Sequence, residues 1–329
     1  MIDLRWGENP LEPSKRVAEA VRKAAANTNR YGAGKLEKLE QKIAEYCGIG
    51  RENVLVVNGS DKSIRLCCQE FAEKKAACFW PSYSVLEESA EIFGAKVEKS
   101  ALNEKFEADF GDLMEKSRGA GLAYVCNPNN PTGNVLGDEK EVGLLLESGA
   151  KVLVDECYFE LSKRTMAKLA VEEEKLLVSR SFSKCFGLAG LRIGYLVGNA
   201  GTIGELKQTE RTLELFGVAS TSIAGALAAL EEGAEKRVNE FEAEKNGFCR
   251  ELKQIGLNPL ESKTTFFLAS LTNLGINGSG FRKEMEKRGV LLKDLSRYGT
   301  TLEKYAFFSV PERAERERVL ETVETILSS

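Results

Sequence analysis

What most constrains the fold of this chain is an alternation running from about residue 35 to 200, in which short, β-rich, almost continuously apolar runs are separated by longer amphipathic stretches. The runs, at 53–57, 76–80, 121–126, 151–155, 175–179 and 192–197, have the length of strands, and their unbroken apolarity calls for cover on both faces. Between them, 35–46, 62–72, 84–93 and 139–146 repeat apolar residues at three and four positions, as the buried stripe of a helix does. This order predicts an α/β fold with a mostly parallel central sheet covered by helices. After residue 198 the texture changes. Charged helical patterns are expected at 202–216 and 220–255, with Gly217 between them. A smaller α+β module of about a hundred residues should follow, with strands at 265–271, 290–293 and 305–310 and helices at 279–288 and 312–327.

Composition narrows the chemistry. None of the 329 residues is His, which excludes Ser–His, Cys–His and His–metal arrangements and leaves Lys, Tyr, Asp, Glu or a cofactor to move protons near neutral pH. No metal site is expected. The 46 Lys and Arg against 50 Asp and Glu leave a net charge of −4, without a basic stretch interleaved with aromatics, which argues against nucleic acid as a partner. The charged residues among positions 1–8 are unlike a signal peptide, and no run reaches the roughly 18 apolar residues that span a bilayer. A cytoplasmic protein without a membrane partner is therefore expected. The eight Cys show no Cys-x-x-Cys spacing and mostly fall in apolar runs, so they should be reduced, buried thiols.

In a sheet of this kind ligands bind beyond the carboxyl ends of the strands, and four loops there carry unusual residues. Asn58-Gly59-Ser60-Asp61 opens a helix whose free N–H groups suit a phosphate, although the same residues are also good helix caps. Asn127-Pro128-Asn129-Asn130-Pro131-Thr132-Gly133 is a rigid turn, its prolines fixing φ and its Asn side chains offering donors and acceptors. Asp155 ends a strand with Tyr158 three residues on; an acid at a strand tip either caps its loop or, if buried, faces a cation. Lys184 lies in the apolar stretch Ser181-Phe182-Ser183-Lys184-Cys185-Phe186-Gly187, eight residues before Arg192. It is either a surface lysine on a loop or an amine whose pKa desolvation lowers, as Schiff-base chemistry requires.

In their order along the chain these segments, with Pro81-Ser82-Tyr83, resemble the fold-type I pyridoxal-phosphate aminotransferases, and within them the histidinol-phosphate aminotransferase group. The resemblance runs nearly end to end, from Glu8-Asn9-Pro10 and Asn29-Arg30-Tyr31-Gly32 to the last helix. It implies that pyridoxal 5'-phosphate is the cofactor, carried by Lys184, with Asp155 paired to the pyridine nitrogen to keep the ring an electron sink. It further implies that Asn130 and Tyr158 hydrogen-bond the ring oxygen and that Tyr83 stacks on the ring. Ser60, Asp61, Ser181, Ser183 and Arg192 would hold the phosphate, with Tyr31 reaching in from a neighbouring subunit of a homodimer. The implied organisation is an N-terminal arm (1–34) packing on the small domain and the dimer partner, a large cofactor-binding domain (35–216) and a small domain (217–329). The implied reaction is transamination between histidinol phosphate and 2-oxoglutarate. Threonine-phosphate decarboxylation, another amino-acid transamination, and cofactor binding without activity are the alternatives.

The departures bear on substrate choice. Where the group usually has an Arg that forks a carboxylate, the aligned stretch Ala306-Phe307-Phe308-Ser309 has Phe307. Where it has a second Arg, Lys293 follows Gly289-Val290-Leu291-Leu292, and a lysine is a point charge rather than a fork. Lys62 stands where the group often has Glu, and Thr265 where it often has Asn. Asn9, Lys293 and Arg297 are the expected substrate contacts. Either Lys293 and Arg297 jointly supply an anion site, or the substrate differs from the group's.

Overall fold

The structure is a computed structural model that describes residues 1–272 and 274–328. The chain opens with β1 (Ile2–Asp3), α1 (Lys15–Ala25) and α2 (Ala33–Cys47). Strands and helices then alternate: β2 (Val54–Val57), α3 (Ser60–Phe71), β3 (Lys75–Trp80), α4 (Val85–Ile92), β4 (Lys96–Ala101), α5 (Phe110–Ser117), β5 (Leu122–Cys126) and α6 (Glu139–Leu146). They continue through β6 (Lys151–Asp155), α7 (Phe159–Ser162), α8 (Ala167–Glu172), β7 (Leu176–Ser181), β8 (Gly194–Gly198) and α9 (Ala200–Leu213). The remainder comprises α10 (Ser220–Glu232), α11 (Glu235–Gln254), β9 (Asn258–Pro259), β10 (Phe266–Ser270), α12 (Gly278–Lys287), β11 (Val290–Leu291), β12 (Tyr305–Ser309) and α13 (Arg316–Leu327).

Seven strands form the central sheet in the order β2-β8-β7-β6-β5-β3-β4. Only β8 runs against its neighbours; β3, β4, β5, β6 and β7 pair in parallel. The expected strands all form, and the sheet is apolar on both faces because helices cover both. Val54, Val56, Ala77, Val125, Val152 and Val178 pack into one core, while Leu55, Val57, Cys78, Tyr124, Leu153 and Leu177 pack into the other. A third core, built around Phe248, Phe267, Phe281, Phe308 and Val319, belongs to the three-stranded sheet β12-β10-β9 and its helices.

Three features lie outside the expectations from sequence. The edge strand β4 reads Lys-Val-Glu-Lys-Ser-Ala with only Ser100 fully buried, so it is held by its ladder with β3 rather than by apolar residues of its own. The long helix expected at 220–255 is two helices, broken at Gly233, whose φ of 82° a helix cannot continue. The first residues cross the molecule: β1 pairs in parallel with β11, and α1 packs against α10. Among the described residues no helix is long and apolar enough to cross a membrane. The eight Cys are all free thiols, with Cys47 and Cys249 half-buried and the others buried.

Candidate active site

Because β5, β6 and β7 run in parallel and in register, their carboxyl ends open together onto one cavity of about 670 Å³. Cys126 ends β5, Asp155 ends β6, Ser181 ends β7, and Ser60 opens α3 beside them. Ser60, Asp61, Tyr83, Asn130, Asp155, Tyr158, Ser181, Ser183, Lys184, Arg192 and Lys293 all line this cavity.

Asp155 is buried at its floor. One carboxylate oxygen accepts the N–H of Cys157 at 3.1 Å and the other accepts the hydroxyl of Tyr124 at 2.9 Å. Burial pushes the acid's pKa up, while the Cys157 thiol and these two donors pull it down. It forms no ion pair among the described residues, so a buried carboxylate faces the cavity in need of a cation. Lys184 faces the same space. Its Nζ donates to the carbonyls of Trp6 at 3.1 Å and Gly7 at 3.2 Å, and lies 5.7 Å from the Tyr158 ring. Burial lowers its pKa, so the amine is biased toward the neutral, nucleophilic form; the surface-loop alternative does not hold.

At the other end of the cavity the 12-residue helix α3 begins without a side-chain cap, its first N–H groups left for another acceptor. Gly59 precedes it at φ 84°, and a Cβ there would come within 2.8 Å of Nη2 of Arg192. That guanidinium donates to Asp61 at 3.4 Å, and the Tyr83 hydroxyl donates to the other Asp61 oxygen at 2.9 Å. A helix start, an arginine and the hydroxyls of Ser60, Ser181 and Ser183 are donors suited to a phosphate. On the side of the small sheet, Lys293 donates to Asn130 Oδ1 at 3.3 Å and lies 5.2 Å from the centre of the Phe307 ring. Phe307 is buried and stacks on Phe266, which in turn meets the edge of Tyr158. The wall where a guanidinium fork was sought is therefore aromatic.

Three expected residues lie outside the cavity. Asn9 uses its amide to bind the backbone carbonyls of Lys184 and Cys185. Arg297 is paired with Glu87 and Glu88, yet it is near enough to Lys293 for their charges to repel. Tyr31 stacks on Phe216 at 4.2 Å and is largely exposed. Conversely, Arg5, Trp6 and Glu8 line the cavity. Glu8 belongs to the Glu8-Asn9-Pro10 segment of the resemblance, but no local pattern marks Arg5 and Trp6, which follow the pairing of β1 with β11.

A lysine with a lowered pKa, a buried acid awaiting a cation and a phosphate cradle, set at three strand ends, define a site for a phosphorylated aldehyde whose ring carries a basic nitrogen. Residues 1–305 match the aminotransferase class I and II family, and the chain belongs to that family. It is 34% identical over 297 residues to the histidinol-phosphate aminotransferase of Thermoanaerobacter pseudethanolicus, covering 88% of this chain and 82% of the relative. The crystal structure of the histidinol-phosphate aminotransferase from Clostridium acetobutylicum superposes with a TM-score of 0.87 at 20% identity, over 100% of this chain and 99% of that one. L-threonine-O-3-phosphate decarboxylase from Porphyromonas gingivalis shares the fold, with a TM-score of 0.78 at 21% identity and 100% of both chains covered. The chain is a pyridoxal-phosphate-dependent aminotransferase of fold type I, and pyridoxal 5'-phosphate is its cofactor.

Proposed function

We propose that this aminotransferase moves the amino group of histidinol phosphate to 2-oxoglutarate, in histidine biosynthesis. The observation that carries the reading is the 34% identity to a histidinol-phosphate aminotransferase across 88% of the chain. The cavity supports it with residues suited to each part of the task.

Bound pyridoxal phosphate supplies the electron sink for the charge left when a proton departs from the amine-bearing carbon of the substrate. Lys184 Nζ, its pKa lowered by burial, is the group that takes and returns that proton. Asp155 would pair with the protonated ring nitrogen, and Asn130 and Tyr158 would hydrogen-bond the ring oxygen. Tyr83 would stack on the ring, and Ser60, Asp61, Ser181, Ser183 and Arg192 would hold the phosphate at the start of α3. Lys293 is the anchor for the anionic end of the substrate. Asn9 acts one step back, fixing the backbone of the Lys184 loop.

The active unit is proposed to be a homodimer in the cytoplasm, with the arm (1–34), large (35–216) and small (217–329) domains in the roles given above. In support, Tyr31, Leu213, Leu215 and Phe216 are exposed large side chains in one stretch of surface, and Tyr31 does not line its own chain's cavity. A solution mass of 36.2 kDa with full activity would defeat the shared site.

The test of function is the visible absorption spectrum of the holoenzyme before and after L-histidinol phosphate, without an acceptor. Loss of the long-wavelength band with formation of pyridoxamine phosphate supports the reading. Release of carbon dioxide from threonine phosphate, with no keto product, would replace it with decarboxylation. A spectrum that neither compound alters would leave the aminotransferase with another donor.

A further inference from the structure

Behind Asp155 lies a tyrosine that no role above uses. Tyr124 sits on β5, two residues before Cys126, so strand alternation turns both to the same face. The register pairs Tyr124 with Leu153 and Cys126 with Asp155, which brings the phenol diagonally under the carboxylate. Tyr124 is fully buried, in a core of Leu122, Leu153, Leu177 and Cys126, where a phenylalanine would fill nearly the same volume. Its hydroxyl instead donates to Asp155 Oδ2 at 2.9 Å.

From this geometry we infer that Tyr124 is a positioning residue, which holds Asp155 as an oriented carboxylate and thereby keeps the proton on the ring nitrogen of the cofactor. The inference rests on the pairing of Asp155 with that nitrogen. Asp155 is otherwise in surroundings that favour its neutral form, since burial and the nearby Asp61 both raise its proton affinity. Against them stand the thiol and the backbone N–H of Cys157 and the Tyr124 hydroxyl; of these the hydroxyl is the donor to Oδ2, and a single oxygen deletion removes it. A hydrogen bond to the charged carboxylate favours its ionised form and so holds its proton affinity down against burial. Without it the carboxylate competes better for the proton it shares with the ring, and the ring becomes a weaker electron sink.

The experiment is the ¹⁵N resonance of ring-labelled pyridoxal phosphate in the holoenzyme, compared among the native protein, Tyr124→Phe and Asp155→Asn. The expected result is a protonated-nitrogen shift in the native enzyme, a neutral-pyridine shift in Asp155→Asn, and a shift displaced toward neutral in Tyr124→Phe. Turnover in Tyr124→Phe should fall about tenfold, and adding the same change to Asp155→Asn should cost no more, because both act through one contact. A merely structural tyrosine would lower the melting temperature and leave the nitrogen resonance at its native value, which overturns the inference. A neutral nitrogen in the native holoenzyme overturns the Asp155 pairing as well. Neither outcome depends on which amine is the substrate.

Discussion

The replacement Lys293→Met separates the cost of the substrate anchor from its use. Lys293 Nζ has one hydrogen bond, to Asn130, and no carboxylate partner among the described residues. Burial first, then repulsion from Lys184 and Arg297, brings its pKa from an ordinary 10.5 down to about 8. At 1.36 kcal/mol per unit, keeping the ammonium charged in the fold costs about 3 kcal/mol. Losing the Asn130 bond returns about 1 kcal/mol of that, so Lys293→Met should stabilise the apoprotein by about 2 kcal/mol at pH 7. The sign of the pH dependence follows from the lowered pKa. Below pH 8 both folded and unfolded states carry the proton and the penalty is whole. Between 8 and 10.5 the folded state sheds its proton first, so the native protein gains stability as the pH rises and the gap to the variant closes. Urea unfolding of both apoproteins at pH 7 and pH 10 measures this directly. The holoenzyme should meanwhile show a raised KM for an anionic amino donor at pH 7, and the native KM should rise above pH 8 as the anchor loses its charge. A variant no more stable than the native chain at pH 7, or a gap that stays the same at pH 10, would refute the reasoning.

Lys184→Ala should abolish both the long-wavelength band of the holoenzyme and transamination; a variant that keeps the band and full turnover would remove the lysine from the chemistry. Gly59→Ala forces a Cβ to within 2.8 Å of the Arg192 guanidinium at a φ that disfavours side chains, so cofactor affinity should fall at least tenfold and the apoprotein should itself lose about 1 to 3 kcal/mol of stability. Equilibrium titration with pyridoxal phosphate decides it, and an unchanged dissociation constant would count against the phosphate cradle. Arg180 and Glu156 form a fully buried ion pair at 2.9 Å, with Arg180 also bonded to Thr165 and stacked on Phe159 at 3.6 Å. Arg180→Met strands the Glu156 charge and should cost about 3 to 5 kcal/mol in chemical unfolding, whereas removing both charges together should cost much less.

The order of the strand-end motifs could be read in advance because each is local. Asp155 must end a strand for its carboxylate to face the cavity, Ser60 must open a helix to leave N–H groups free, and both conditions are written in neighbouring residues. The aromatic wall at Phe307 was equally legible as a substitution. That Arg297 is held by carboxylates of its own was not, since its pairing depends on Glu87 and Glu88, more than two hundred residues away in the chain.

Periodicity determined the α/β class and the six principal strands, because hydrophobic spacing acts over a few residues; residue chemistry at the strand ends marked the acid, the lysine and the phosphate loop, and the resemblance of their order to a known family gave them roles. Tertiary structure decided the rest. It recruited β4 through a ladder, laid the arm over the cavity so that Trp6 and Gly7 hold Lys184, and set Tyr124 beneath Asp155. Each of these is a contact between segments with no shared local signal, selected by strand register and by burial, which no stretch of sequence encodes on its own.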